Sequence, residues 1–133
     1  MDLLRPHPTP TSQPFWDGLA NGRVMIQYSP STDRWVFYPR TLAPGSLAND
    51  LEWREISGAG RIHTFTTTYS PTGPQWKDAL PQQLAVVELD EGPRLTTALV
   101  DAPIDEVMIG LRVRPVIEDR NGRGIALLYY TLA

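Results

Sequence analysis

The chain has 133 residues, with 12 basic side chains against 15 acidic ones and a net charge of −3 when histidine is neutral. At 41% hydrophobic and 20% charged it has the balance of an ordinary globular protein, long enough for one domain or a small domain with an appendage. It contains no cysteine, which excludes disulfides, thiolate zinc sites, iron–sulfur ligation and a cysteine nucleophile.

The longest apolar runs, Leu84 to Val87 and Ile125 to Tyr130, are far shorter than the roughly 20 residues that cross a bilayer. The opening MDLLRPHPTP lacks the apolar stretch of a signal peptide. A cytoplasmic protein with no membrane partner is expected.

Residues 1–22 begin with a proline-rich arm (Pro6, Pro8, Pro10, Pro14) that reads as extended. Pro14 before a short apolar-periodic stretch and Gly22 after it predict a helix of about two turns. Phe15, Trp16 and Leu19 share one side of that helix. A helix so short is marginal alone, so its aromatic face must dock, on its own domain or on another subunit.

From residue 23 to residue 55 two strand-like runs, RVMIQY and RWVFYP, flank the turn formers Pro30, Ser31 and Asp33 and read as a hairpin. The turn-rich TLAPGSLAND and the short run LEW follow.

Residues 56–133 read as a β-domain. Five runs rich in Val, Ile, Thr, Phe and Tyr fall at 60–69, 83–90, 93–100, 111–120 and 124–132. Asp90 to Pro93 and Asn121-Gly122 are hairpin signals. APIDEVMIG, between the third and fourth runs, suits a short helical turn closed by Gly110. Five strands with such a break fit a small Greek-key barrel of the OB type, so the fold is mainly β.

No phosphate-binding loop, dinucleotide fingerprint, nucleophile elbow or zinc-protease motif is present. Gly58-Ala59-Gly60 precedes a strand and offers no helix N-terminus to a phosphate, so it reads as a bend. His63 shares a strand face with Arg61, Phe65, Thr67 and Tyr69 by alternation, and lacks a local carboxylate to make it a base. No independent catalysis is expected.

Binding is better provided for. The connection SPTGPQWKDALPQ, between the first two barrel strands, is long, and long loops carry function. Its Trp76 and Lys77 pair an aromatic with a cation, which suits a stacked ring beside a phosphate, or else an anchored loop. Arg112 and Arg114 alternate with apolar neighbours and share a face, where paired guanidiniums suit the phosphates of coenzyme A. Between residues 60 and 133, nine acids outweigh seven bases. A single-stranded nucleic-acid binder, which needs a basic groove, is therefore disfavoured.

The phrases PFWDGLANGR, the hairpin block to LEW, SGAGRIHTFTTTY, LAVVELDEGPRL and IGLRVRPVIEDR resemble a bacterial and archaeal family over residues 14–131. Its members join an N-terminal helix, a rubredoxin-like zinc ribbon and a C-terminal OB-fold, and associate with acyl-CoA-processing enzymes. The resemblance implies a noncatalytic accessory subunit that binds or encloses acyl-CoA and docks on a thiolase-like enzyme. Partners of the family include lipid-transfer-protein-type aldolases, acyltransferases and hydratase-like subunits. Under this reading Trp76, Lys77, Arg112, Arg114 and His63 are ligand candidates. Phe15, Trp16, Leu19, Trp35 and Phe37 are docking candidates. A free-standing carrier of acyl-CoA or another small acidic ligand is the alternative.

Residues 23–55 depart from the family. Its C-x2-C-x10-C-x2-C positions fall on Ser29, Thr32, Ala43 and Ser46. Neutral hydroxyls and an alanine are poor zinc ligands, so no zinc and no tightly bound cofactor are expected. A structural zinc supplies about 10 kcal/mol or more of apparent folding free energy. Apolar packing by Tyr28, Trp35, Phe37, Tyr38, Leu42 and Leu47 is the expected replacement.

Overall fold

The structure, a computed structural model, describes residues 5–71, 73–120 and 124–133. The elements begin with helix α1 (Gln13–Ala20) and strands β1 (Val24–Ser29), β2 (Arg34–Val36) and β3 (Glu52–Ile56). Strands β4 (Gly60–Thr68), β5 (Gln82–Leu89), β6 (Arg94–Leu99), β7 (Arg112–Glu118) and β8 (Leu127–Leu132) follow. Short 3-10 turns at Pro74–Ala79 and Ile104–Glu106 interrupt the two longest barrel connections.

Strands β4 to β8 close a barrel in the order β4-β5-β6-β8-β7, with β7 pairing back onto β4. Every pair is antiparallel except β6 with β8, where Leu99 lies opposite Tyr130. This is the five-stranded OB arrangement that the strand pattern predicts. The alternation that closes it is plain in β6, where Leu95, Thr97 and Leu99 point inward and Arg94 and Thr96 outward.

Ile62, Val87, Leu89, Leu95, Val113 and Tyr130 fill the barrel. The Tyr130 hydroxyl donates to the Gly58 carbonyl at 2.6 Å. Burial, with a smaller effect from the Glu91 carboxylate, pushes that phenol well above its usual range. Gly58 adopts φ +77°, and a Cβ on Gly60 would stand 2.4 Å from the Glu88 carbonyl oxygen. The expected bend therefore needs both glycines, one for its backbone and one for close strand approach.

Residues 23–56 form more than a hairpin. β1 pairs with β2 and also with β3, giving a three-stranded sheet in the order β2-β1-β3. The run RWVFYP is strand only as far as Val36. Helix α1 packs on β1 and reaches β8. This covering explains why Tyr129, Tyr130 and Thr131 are buried in succession, since β8 has an inner face in the barrel and an outer face under the helix.

Two further expectations change. A bulge between Ile62 and Thr64 leaves His63 without a partner in the ladder with β5 and resets the alternation. Phe65 then lies opposite the buried Ala85, on the face of Ile62, while Arg61 and Thr64 lie on the other face. His63 therefore does not share one face with Arg61, Phe65, Thr67 and Tyr69. The Asn121-Gly122 turn signal lies outside the described residues.

Candidate functional site between helix, knuckle and barrel

The three parts of the chain meet around a cavity of about 450 Å³. Four rings run in series along its upper side. Trp16 and Phe15 are 5.1 Å apart between ring centres, Phe15 and Phe37 5.7 Å, and Phe37 and Tyr38 4.5 Å. Helix α1 supplies the first two, and the chain beyond β2 supplies the others. The floor is made by two barrel strands: Thr96 and Ala98 of β6 with Leu127 and Tyr129 of β8 on the outer face, and the core residues Leu95 and Leu128 reached from the side. Trp76, from the β4–β5 connection, closes one side, and His7 of the arm lines the cavity as well.

This geometry joins residues that the sequence put in separate groups. Trp76, a ligand candidate, shares one cavity with Phe15, Trp16 and Phe37, candidates for docking. Phe15 (8% exposed) and Leu19 (1% exposed) are packed within their own chain. That surface is unavailable to a partner, because the helix stacks on β1 and on Phe37. The Trp16 indole N–H donates to Ser12 Oγ at 3.2 Å. Trp35 lies apart, tilted against Tyr28 at 4.8 Å, and borders a second cavity with Thr32, Pro44 and Glu91.

The cationic candidates do not converge there. Lys77 is exposed and outside the cavity lining. Arg112 is held in a two-pronged pair by Asp90, at 2.6 and 3.0 Å. The Arg112 guanidinium keeps the Asp90 carboxyl below the usual carboxylate range. Arg114 is exposed two residues further along β7, and Arg61 stands directly opposite Arg112 on β4. His63 is exposed at the bulge, beside the backbone bond from the Gly110 amide to the Ile62 carbonyl.

The expected apolar packing is only partly formed: Tyr28 stacks on Trp35 and Phe37 on Phe15, but Tyr38, Leu42 and Leu47 are exposed, and polar clips hold the rest of the knuckle. The buried Gln27 side chain donates to the Arg40 carbonyl and accepts from the Arg40 amide, both at 2.7 Å. It thereby mimics one step of a strand ladder. Ser29 Oγ donates to one Asp50 oxygen at 2.7 Å, and the Ser31 amide donates to the other at 2.8 Å. These bonds hold the Asp50 carboxyl below its ordinary range, the Ser29 hydroxyl having the largest effect. Tyr28 donates to Asp33, which raises the phenol's pKa.

The four family ligand positions do not fit zinc. Ser29 is committed to Asp50, Ser46 Oγ accepts from the Ala48 amide, Thr32 offers a neutral hydroxyl, and Ala43 has no donor atom. Among the described residues no cluster of three or more His, Asp or Glu side chains could hold a metal ion. No helix among them is long and apolar enough to cross a membrane.

Fold and site together define an OB-barrel protein with an N-terminal helix and a three-stranded knuckle folded onto its outer face. The family model described as ChsH2, C-terminal OB-fold domain, matches residues 53–118. A DUF35 domain-containing scaffold protein of Methanothermobacter thermautotrophicus is 40% identical over 91 residues, covering 67% of this chain and 68% of the relative. The chain belongs to this DUF35 family. A probable enoyl-CoA hydratase alpha subunit of Thermomonospora curvata is 30% identical over 118 residues, 87% of this chain but 35% of that subunit. Among solved structures, a chain of an Ltp2-ChsH2(DUF35) aldolase has the same fold, with a TM-score of 0.83 at 23% identity, covering 96% of this chain and 98% of that one.

Proposed function

We propose that the protein is a noncatalytic accessory subunit that docks on a thiolase-like or related acyl-CoA-processing enzyme and helps to enclose its thioester. Membership of a family whose relative at 40% identity is a scaffold protein carries this reading. The aldolase chain of like fold and the hydratase subunit support the class of partner. A barrel set against an enzyme's mouth can wall off an acyl channel without adding a catalytic group.

With Phe15 and Leu19 turned inward, partner contact passes to the outside of the knuckle. Tyr38, Leu42 and Leu47 there are 56%, 43% and 68% exposed, an apolar surface of the kind that marks interfaces. Affinity capture from native extract tests the reading. A thiolase-like or hydratase-like subunit should be retained in fixed stoichiometry. The double variant Leu42→Ser, Leu47→Ser, which leaves the ring row intact, should weaken capture by roughly tenfold or more while leaving the circular dichroism spectrum unchanged. Recovery of the protein without such an enzyme would overturn it. Metal analysis of the same preparation should find no stoichiometric zinc.

A further inference from the structure

The cavity beneath the row of rings is more than a gap left by packing. It is a cleft partly open to solvent, and its volume of about 450 Å³ lies within the roughly 300–1,000 Å³ typical of small-molecule sites. No Asp, Glu, Lys or Arg lines it among the described residues, and His7 is its one imidazole. The Ser12 hydroxyl already accepts a hydrogen bond from Trp16. What enters must therefore be apolar and uncharged along most of its length.

A second cleft, of about 280 Å³, adjoins the first and shares Trp76, Gln82, Ala98 and Tyr129 with it. Its character is polar, with Gln83, Asp101 and Arg120 on its walls. Arg120 is paired with both Glu118 and Asp101, so this cleft presents no surplus positive charge to an anion. The ligand's outer arm should accordingly be polar but neutral, as an amide is. Lys77 follows Trp76 in the chain and is exposed.

We propose that this paired cleft binds an acyl thioester, with the acyl chain under the Trp16–Phe15–Phe37–Tyr38 row and the amide-bearing arm passing Trp76. The proposal rests on the acyl-CoA part of the functional reading and is independent of docking. It assigns the chain to the junction of helix, knuckle and barrel, away from the Arg112–Arg114 face of β7.

S-acyl-N-acetylcysteamine thioesters, which carry one amide and no phosphate, are the probes. Titrated into the full-length protein, the octanoyl compound should change tryptophan fluorescence saturably, because Trp16 and Trp76 both line the cavity. Affinity should rise roughly three- to fourfold per methylene from the butanoyl compound upward and level off once the cavity is full. Ala98→Phe, which puts a ring between the two clefts, should weaken binding at least tenfold. Thr96→Trp, at an exposed position on the same strand face, provides a second block should Ala98→Phe fail to fold. Arg112→Ala should leave affinity unchanged. Absence of saturable binding, or equal affinity in the blocked and parent proteins, overturns the proposal. So does a blocked variant that loses the partner enzyme when the parent binds no probe, since the cavity would then hold a protein side chain. Probe binding without any captured enzyme would instead sustain this inference and remove the docking reading.

Discussion

The barrel and the knuckle solve the same problem in different ways. The barrel closes on itself, so every strand has two neighbours, and its inward alternation gathers Ile62, Val87, Leu89 and Val113 into one apolar centre. The knuckle has three short strands and a long connection from residue 37 to residue 51 that no ladder holds. Its order depends on single side chains bonded across that connection: Gln27 to Arg40, and Asp50 to Ser29 and Ser31. Stability in the first is spread over many contacts. In the second, Val24, Ile26 and Ile56 join that same apolar cluster, and only the 37–51 connection rests on a few side chains.

The largest effect expected from this contrast belongs to the barrel. Leu89 is 2% exposed, and Leu89→Ala should cost about 2–5 kcal/mol through lost transfer energy and a cavity. Urea unfolding should show the loss in every probe of the barrel strands at once, because a closed barrel has no part that melts alone. One barrel strand melting in a transition separate from the other four would contradict the picture of a closed barrel with one core.

A smaller and more local effect is expected at Gln27. Gln27→Leu preserves size but strands the Arg40 amide and carbonyl, a loss of about 1–3 kcal/mol where those groups stay out of water. Hydrogen exchange should quicken at the Arg40 amide and through the 37–51 connection, while amides of β5 keep their protection. Equal acceleration in both regions would show that the knuckle and barrel unfold as one unit.

The same contrast separates what could be read from the sequence and what could not. Strand alternation, the turn at Asp90 to Pro93 and the paired glycines at 58 and 60 are short-range signals, and they located the barrel within three residues at each strand end. The bulge at His63 carries no such signal: one extra residue in β4 moves Phe65 to the other face and leaves composition untouched. The clips of the knuckle span 13 and 21 residues, too far for local pattern. The aromatic cavity was half legible. Phe15, Trp16, Phe37 and Trp76 stood out as large rings, but their convergence depends on α1 crossing β8, which no spacing within one element encodes. Leu19 and Phe15 looked like docking residues for the same reason, since an amphipathic helix does not state what it will cover.

The subtlest test concerns Asp50, whose carboxylate clips the two sides of the knuckle together. Its carboxyl is held below the ordinary value by hydrogen bonds from Ser29 and Ser31, whereas in the unfolded chain it titrates near pH 4. The folded state thus binds the proton less readily. The clip's contribution is fully present above the unfolded pKa and is lost as pH falls through the depressed folded one. The Ser31 amide, which donates to Asp50 Oδ2, reports this directly by NMR. Its shift should titrate with a midpoint below about 3.9, ahead of any change in the barrel amides, and Asp50→Asn should abolish the step. A midpoint at or above the ordinary aspartate value would mean that the carboxylate is a bystander, leaving the knuckle to its rings and to Gln27.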